Sequence, residues 1–380
     1  MSRKNKILLV SILVMVGVFI LCLGEIPPAL AADEDESILG VTIRSEWGDP
    51  NTHSLVVDAG VRWVRTSVSW AAHEPVQGQK DLSGLDRLFK SFTDIGLKPV
   101  VYIADNPSWA ASSKCGPIDK VSLQALADFV GVLAERYDGD GDYDGDGVVD
   151  GPALPRIDYW ALYNEPDNQW TSGEASAFDG CWGRDGKSYA QLMGLVKQAV
   201  QKANPNAQVV FSSVAGEKVA CPSTWGCAGQ DIFNFNIAGG DFVDDVLGYI
   251  QSHPGDYFDI FDFHYYPAFQ WQWASWGNGI LGKARYYQNR LQSHGLSKPM
   301  IVTETGKKSD GTGGDEAQTN HLVMTYIRAM AAGLKSVMWF TFTDIYDGVW
   351  AGWGLLEFGL VGGFWTEIMR QSRPILFIKY

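Results

Sequence analysis

IDYWALYNEPD, residues 157 to 167, carries the reading on which the rest of the chain turns. Its first half is a nearly unbroken apolar run, too short for a helix and suited to a parallel strand buried on both faces. Its second half gives way to Asn164, Glu165 and Pro166, polar groups at a strand's end. The same pattern recurs on both sides. ILGVTI (38–43), VRWVRTSVSW (61–70) and KPVVYIA (98–104) come before it. QVVFSSVA (208–215), FDIFDFHYY (258–266), PMIVTET (299–305) and SVMWFTFT (336–343) follow.

Helical spacing separates these runs. Residues 82–95 place Leu82, Leu85, Leu88, Phe89 and Phe92 on one face, and 121–137, 189–203 and 316–332 are patterned alike. Eight alternations without a second composition regime predict an α/β chain forming one (β/α)8 TIM barrel. In that architecture strand C-termini and the loops after them form the functional face, whereas helix-to-strand loops serve stability. Glu165 ends the fourth run and Glu304 the seventh, so two carboxylates are expected to face each other across the barrel mouth. Such a pair suits glycosidic bond cleavage, one protonated to serve the leaving oxygen and one ionised to attack the anomeric carbon.

The N-terminus has its own signature. Arg3, Lys4 and Lys6 precede an apolar run from Ile7 to about Leu23, and Ala29-Leu30-Ala31 offers a cleavage site. Residues 1–31 read as a signal peptide, and 32–380 as the catalytic domain of a secreted or extracytoplasmic protein. An uncleaved run of this length would instead anchor the chain to a membrane. The net charge of −14 argues against nucleic acid or an anionic membrane surface as partner. Once the signal is cleaved, no stable membrane partner is expected. Cys115, Cys181, Cys221 and Cys227 remain, an even set compatible with two disulfides; Cys115–Cys181 and Cys221–Cys227 suit the loop order.

YNEPD after a fourth strand and ETG after a seventh resemble the clan A glycoside hydrolases, and families 39 and 5 within that clan. The resemblance covers the chain from the first strand to about Gly363. It implies a retaining β-glycoside hydrolase acting on oligo- or polysaccharide, with Glu165 as acid/base and Glu304 as nucleophile. It further implies that Asn164 holds the sugar 2-hydroxyl and Arg65 buttresses the nucleophile. His264 and Tyr266 match an H-x-Y pattern whose tyrosine keeps the nucleophile ionised, and Trp339 would floor the subsite of the attacked sugar. The reading YIADNPSW after the third strand lacks the histidine usual in family 5. A different class of function, a calcium-stabilised carbohydrate-binding protein without catalysis, fits the same aromatic-rich face.

That face is expected to hold Trp109, Trp170, Trp271, Trp273, Trp276, Trp350 and Trp353, flat rings able to stack on pyranose C–H groups. No cofactor is expected for catalysis. DYDGDGVVD, residues 142–150, matches the first nine positions of an EF-hand calcium loop. Asp142, Asp144, Asp146 and Asp150 would supply oxygens, Val148 its carbonyl, and Val149 an aliphatic side chain to bury. Position twelve is Ala153, where such loops carry a bidentate glutamate. The run connects a helix to the fourth strand, so a structural role for Ca2+ is expected.

Residues 364–380 depart from the clan's pattern, in which a "KPSY"-like helix closes the barrel. Read from the last base of the Trp365 codon, the shifted frame opens with Asp, and an allowed choice of codons gives DGNNAPKPSYSLYK. A frameshift near Phe364 is the expectation.

Overall fold

A computed structural model describes residues 37–43, 50–167, 182, 186–215, 242–267, 273–309, 314–344, 352–355, 360–361 and 364–365. The chain divides into two units, Met1–Ser37 and Ile38–Tyr380, and of the first only Ser37 is described. The signal segment, Cys181, Cys221 and Cys227, and the tail beyond Trp365 lie outside the described residues.

The second unit is a closed parallel barrel of eight strands in sequence order. They are β1 (Leu39–Thr42), β2 (Trp63–Ser69), β3 (Lys98–Ala104), β4 (Tyr159–Leu162), β5 (Gln208–Val214), β6 (Ile260–Phe263), β7 (Met300–Thr305) and β8 (Val337–Trp339). β8 pairs back onto β1, with Val41 beside Trp339. Helices α1 (Pro50–Asp58), α2 (Trp70–His73), α3 (Ser83–Thr93), α4 (Gln124–Arg136), α5 (Gly186–Ala203), α6 (Phe242–Ser252), α7 (Ile280–Ser293) and α8 (Gly314–Ala331) lie between the strands. Among the described residues no helix follows β8; a short antiparallel pair, β9 (Leu360–Val361) and β10 (Phe364–Trp365), does.

The elements form where their apolar spacing requires. In α3, Leu85, Phe89 and Phe92 are buried at helical spacing. Each contributes on the order of 1.5–3 kcal/mol relative to exposure. Inside the barrel, Trp63, Val100, Ala161, Val210, Ile260, Ile301 and Met338 form one apolar cluster, a side chain from each of β2 to β8. Strand alternation then turns the residue two places on toward the same interior. That places Arg65, Tyr102, Asp262 and Thr303 in a second, polar layer above an apolar floor, and the site is built on it.

Candidate active site

Arg65 organises the polar layer. Its guanidinium is buried and donates from Nη1 to Glu304 Oε2 at 2.8 Å. From Nη2 it donates to Asn164 Oδ1 at 2.5 Å and to Ser213 Oγ at 3.0 Å, while its plane lies over the Tyr102 ring. Four strands or their ends thus meet on one cation. Glu304 has a second holder, because the Tyr266 hydroxyl donates to its Oε1. Burial and the adjacent Glu304 carboxylate push the Tyr266 phenol far up, so it stays a donor.

His264, just past β6, stands between the carboxylates. Its Nδ1 lies 2.8 Å from Glu165 Oε1, and its Nε2 lies 3.8 Å from Glu304 Oε2. Burial depresses its pKa to about 3, so the ring is neutral. The two glutamates are the open members of the group. Their side chains are 19% and 14% exposed, against 1% for His264 and 4% for Arg65. A ligand entering the mouth therefore meets carboxylates backed by buried donors.

Local backbone irregularity aims these groups. The β7–β8 register shifts between Val302 and Thr305, which lets the consecutive residues Thr303 and Glu304 both reach polar partners of the barrel. A similar shift between Phe211 and Val214 brings Ser213 onto Arg65. Tyr163 and Glu165 have positive φ, 63° and 45°. For side chains with a Cβ this costs on the order of 1–3 kcal/mol each. The Glu165 N–H donates to Ser213 O at 3.1 Å, and the Tyr163 N–H to Ile103 O at 2.6 Å, which fixes the turn to both neighbouring strands. Gly306, directly after β7, leaves no room for a side chain; a Cβ there would lie 2.6 Å from Phe340 O.

The structure thus brings Arg65, Asn164, Glu165, His264, Tyr266 and Glu304 together, and it departs from expectation at Trp339. Alternation from the inward Met338 turns Trp339 outward. The ring is fully buried, 6.0 Å from that of His321 on α8, and donates to Trp353 O. A ring covered in this way cannot floor a sugar subsite. Among the described residues Trp353 is a half-buried aromatic at the mouth, edge-on to Tyr266 at 5.4 Å. Trp273 is also packed away, against Tyr286 and Tyr287 of α7, and Trp109 donates to Glu74 O beside Trp70. Trp276 remains exposed; Trp170, Trp271 and Trp350 lie outside the described residues.

Sequence reasoning missed the supports. Tyr163 donates to Asn106 Oδ1 at 2.7 Å, and Asn106 in turn donates to the carbonyls of Ser113 and Gly116, closing the loop after β3. That loop holds Cys115, which is disulfide-bonded to a partner outside the described residues. Asp262 and Thr303 were also missed, although strand alternation from Ile260 and His264 would have placed Asp262 inside.

With this geometry in view, comparison with solved structures finds the same barrel. A family 39 glycoside hydrolase from the gut symbiont Bacteroides cellulosilyticus WH2 aligns over 86% of this chain and 61% of its own, at 21% identity and TM-score 0.58. A monomeric β-xylosidase from Caulobacter crescentus CB15 aligns over 85% and 64%, at 14% identity and TM-score 0.57. An exo-β-1,4-mannosidase from Opitutaceae bacterium strain TAV5 aligns over 84% and 56%, at 16% identity and TM-score 0.54. The fold is shared with clan A glycoside hydrolases. The chain spans about three fifths of the length of these structures. No protein-family model matches the sequence, and neither does any curated protein.

The aspartate loop lies at the other end of the barrel, between α4 and β4. The Ile157 N–H donates to Tyr137 O at 2.8 Å, so the loop leaves and returns at one neck. One oxygen each of Asp142, Asp144 and Asp146 lie within 4.8 Å of one another. Asp142 also accepts the N–H groups of Gly145 and Gly147. The other expected ligands behave differently. Asp150 accepts the Tyr143 N–H at 2.8 Å, and Val148 and Val149 are 62% and 70% exposed, so the aliphatic side chain expected to bury does not. Glu135 of α4 leans against Gly145, and burial with the neighbouring Asp138 and Asp142 raises its pKa. The three convergent oxygens fit a hard cation in part.

Proposed function

We propose that this chain is a retaining β-glycoside hydrolase acting on oligo- or polysaccharide. The observation that carries the proposal is a pair of partly open carboxylates set on either side of one neutral imidazole, one of them clamped by Arg65 and Tyr266. Glu304, held in place by those two donors, attacks the anomeric carbon as the glycosidic C–O bond breaks. Glu165 delivers its proton to the departing oxygen. Glu165 then takes a proton from water, which attacks the same carbon and releases Glu304. Asn164, oriented by Arg65, holds the sugar 2-hydroxyl, and Trp353 is the platform beside it. The shared fold and the activities of the structurally similar enzymes support this reading.

A panel of aryl β-glycosides and β-linked polysaccharides tests it, with Glu304→Ala as control and the anomer of the first product read by NMR. Hydrolysis with retention, lost in the variant, is the expected result. Sugar binding without turnover on any substrate would favour the carbohydrate-binding alternative.

Two further readings accompany this one. Residues 1–31 direct export, and the oxidising compartment accounts for the bonded Cys115, with Cys181 as its inferred partner. Asp142, Asp144 and Asp146 would hold a structural Ca2+. It would neutralise the crowded carboxylates and fix the entry to β4. Among the described residues no helix is long and apolar enough to cross a membrane.

A further inference from the structure

Beneath the carboxylate pair lies a third buried carboxylate that the mechanism above does not use. Asp262 Oδ2 accepts the Thr303 hydroxyl at 2.6 Å, and its Oδ1 accepts the Thr303 N–H at 3.0 Å. The same hydroxyl oxygen is 3.4 Å from His264 Nε2, and His264 Nδ1 is 2.8 Å from Glu165 Oε1. Asp262, Thr303, His264 and Glu165 are therefore one unbroken chain of hydrogen bonds.

A neutral imidazole has one donor and one acceptor nitrogen, so the chain has a direction. When Thr303 gives its hydrogen to an ionised Asp262, its oxygen offers only lone pairs to Nε2. Nε2 must then carry the ring hydrogen, and its other neighbour, Glu304 Oε2, is an acceptor as well. Nδ1 is left bare, and the hydrogen in its bond to Oε1 must come from Glu165. The reverse arrangement moves each hydrogen one bond along. It leaves Asp262 protonated, Nδ1 as donor and Glu165 ionised, with no change in total charge.

We propose that Asp262 is a positioning residue for the general acid, acting through Thr303 and His264 to keep the proton on Glu165 in the resting enzyme. The inference rests on the assignment of Glu165 above. After Glu165 has given up its proton, the bare Nδ1 faces its ionised oxygen. That contact makes Glu165 a stronger base toward water in the second half of the reaction. The groups facing Asp262 are Arg65 from β2, Thr303 and Glu304 from β7, Tyr189 from α5 and His264 beyond its own strand. Burial raises the Asp262 carboxyl to about 7, and Thr303 and Arg65 pull against that rise, favouring the ionised form that sets the direction of the chain.

Asp262→Asn tests the direction of the chain. The asparagine oxygen must keep the Thr303 N–H, which puts its NH2 group against the Thr303 hydroxyl and reverses every bond up to Glu165. Ring 15N NMR of labelled histidine is expected to show His264 with the hydrogen on Nε2 in the wild type and on Nδ1 in Asp262→Asn. The alkaline limb of kcat/KM is expected to fall by about one pH unit or more. The loss should be at least tenfold greater for an alkyl β-glycoside than for a 2,4-dinitrophenyl β-glycoside, whose leaving group needs little acid assistance. Thr303→Val should abolish the effect of adding Asp262→Asn, and Thr303→Ser should retain it. Should Asp262→Asn not fold, the Nε2–H preference is expected to persist in Thr303→Ser and vanish in Thr303→Val. An Nδ1–H ring in the wild type, or the same tautomer in every variant, overturns the proposal. The tautomer is read without substrate, so an absence of glycosidase activity would sink the functional reading while leaving this test intact.

Discussion

Glu304 and Asp142 are both carboxylates held by hydrogen bonds, yet their surroundings are opposite in kind. Glu304 is gripped by side chains from distant strands, Arg65 at 239 positions' separation and Tyr266 at 38. Asp142 is gripped by N–H groups of its own loop, from Asp144, Gly145 and Gly147. The first arrangement exists only when the barrel is closed, and it leaves the carboxylate partly open toward the mouth. The second needs only a few residues of turn. Local acid density is therefore a poor guide to chemistry, and long-range convergence on a single carboxylate is a better one.

The contrast can be broken at several points. The largest effect is expected for Glu304→Ala, a loss of roughly 10⁴- to 10⁶-fold in kcat/KM on aryl β-glycosides with the fold retained by circular dichroism. Asp142→Ala should leave kcat/KM of the folded enzyme nearly unchanged, and a comparable loss there would overthrow the division between the two regions. Arg65→Ala leaves Glu304 without its buried cation, and a stability loss of about 3–5 kcal/mol is expected in denaturant titration. Chelation should lower Tm without touching the activity of still-folded protein, the stability lost being about 3 kcal/mol if the ion stands at a hundred times its Kd. An unchanged Tm would remove the calcium proposal.

Titration separates the regions by sign. Asp262 has its folded pKa raised to about 7, so its contribution to stability is present below its ordinary value of 3.8 and is lost as pH rises through about 7. Asp142 is partly buried, which works against ionisation, but the N–H groups of Gly147 and Gly145 outweigh that and lower its pKa. Its contribution is present above the ordinary carboxylate range and is lost as pH falls through the lowered value. Asp262→Asn should therefore flatten the neutral part of the stability–pH curve and Asp142→Asn the acid part, as read by urea titration at a series of pH values. The smallest effect belongs to Gly147→Ala. Its φ of 87° should cost about 1–2 kcal/mol in Tm-derived stability and nothing in catalysis.

The fold and the two glutamates were legible because buried parallel strands carry a recognisable apolar signature and because carboxylates at strand ends stand out from it. Asp262 and Thr303 were hidden within the apolar runs FDIFDFHYY and PMIVTET, where one polar residue reads as a blemish until alternation is counted from a fixed point. Trp339 shows the same difficulty reversed. β8 is three residues long, so the sequence alone cannot say which of Met338, Trp339 and Phe340 faces inward, and the chemistry of tryptophan biased the choice. Glu135 escaped because its link to the aspartate loop is made through a helix that the loop pattern does not include. The Val149 expectation failed because, among the described residues, no helix covers that side chain.

The positive φ angles at Tyr163 and Glu165 bear on how this protein would respond to selection for heat resistance. Glycine accepts such conformations without strain, so Glu165→Gly, at a partly exposed side chain, is a change that a screen blind to turnover would reward, whereas Tyr163→Gly empties the space of a fully buried ring and is not. Tyr163→Gly also removes the bond that closes the β3 loop, and Glu165→Gly removes the proposed proton donor. Thermal robustness and turnover therefore pull the same three-residue turn in opposite directions. A lineage kept for persistence alone would drift there toward a durable, inert barrel.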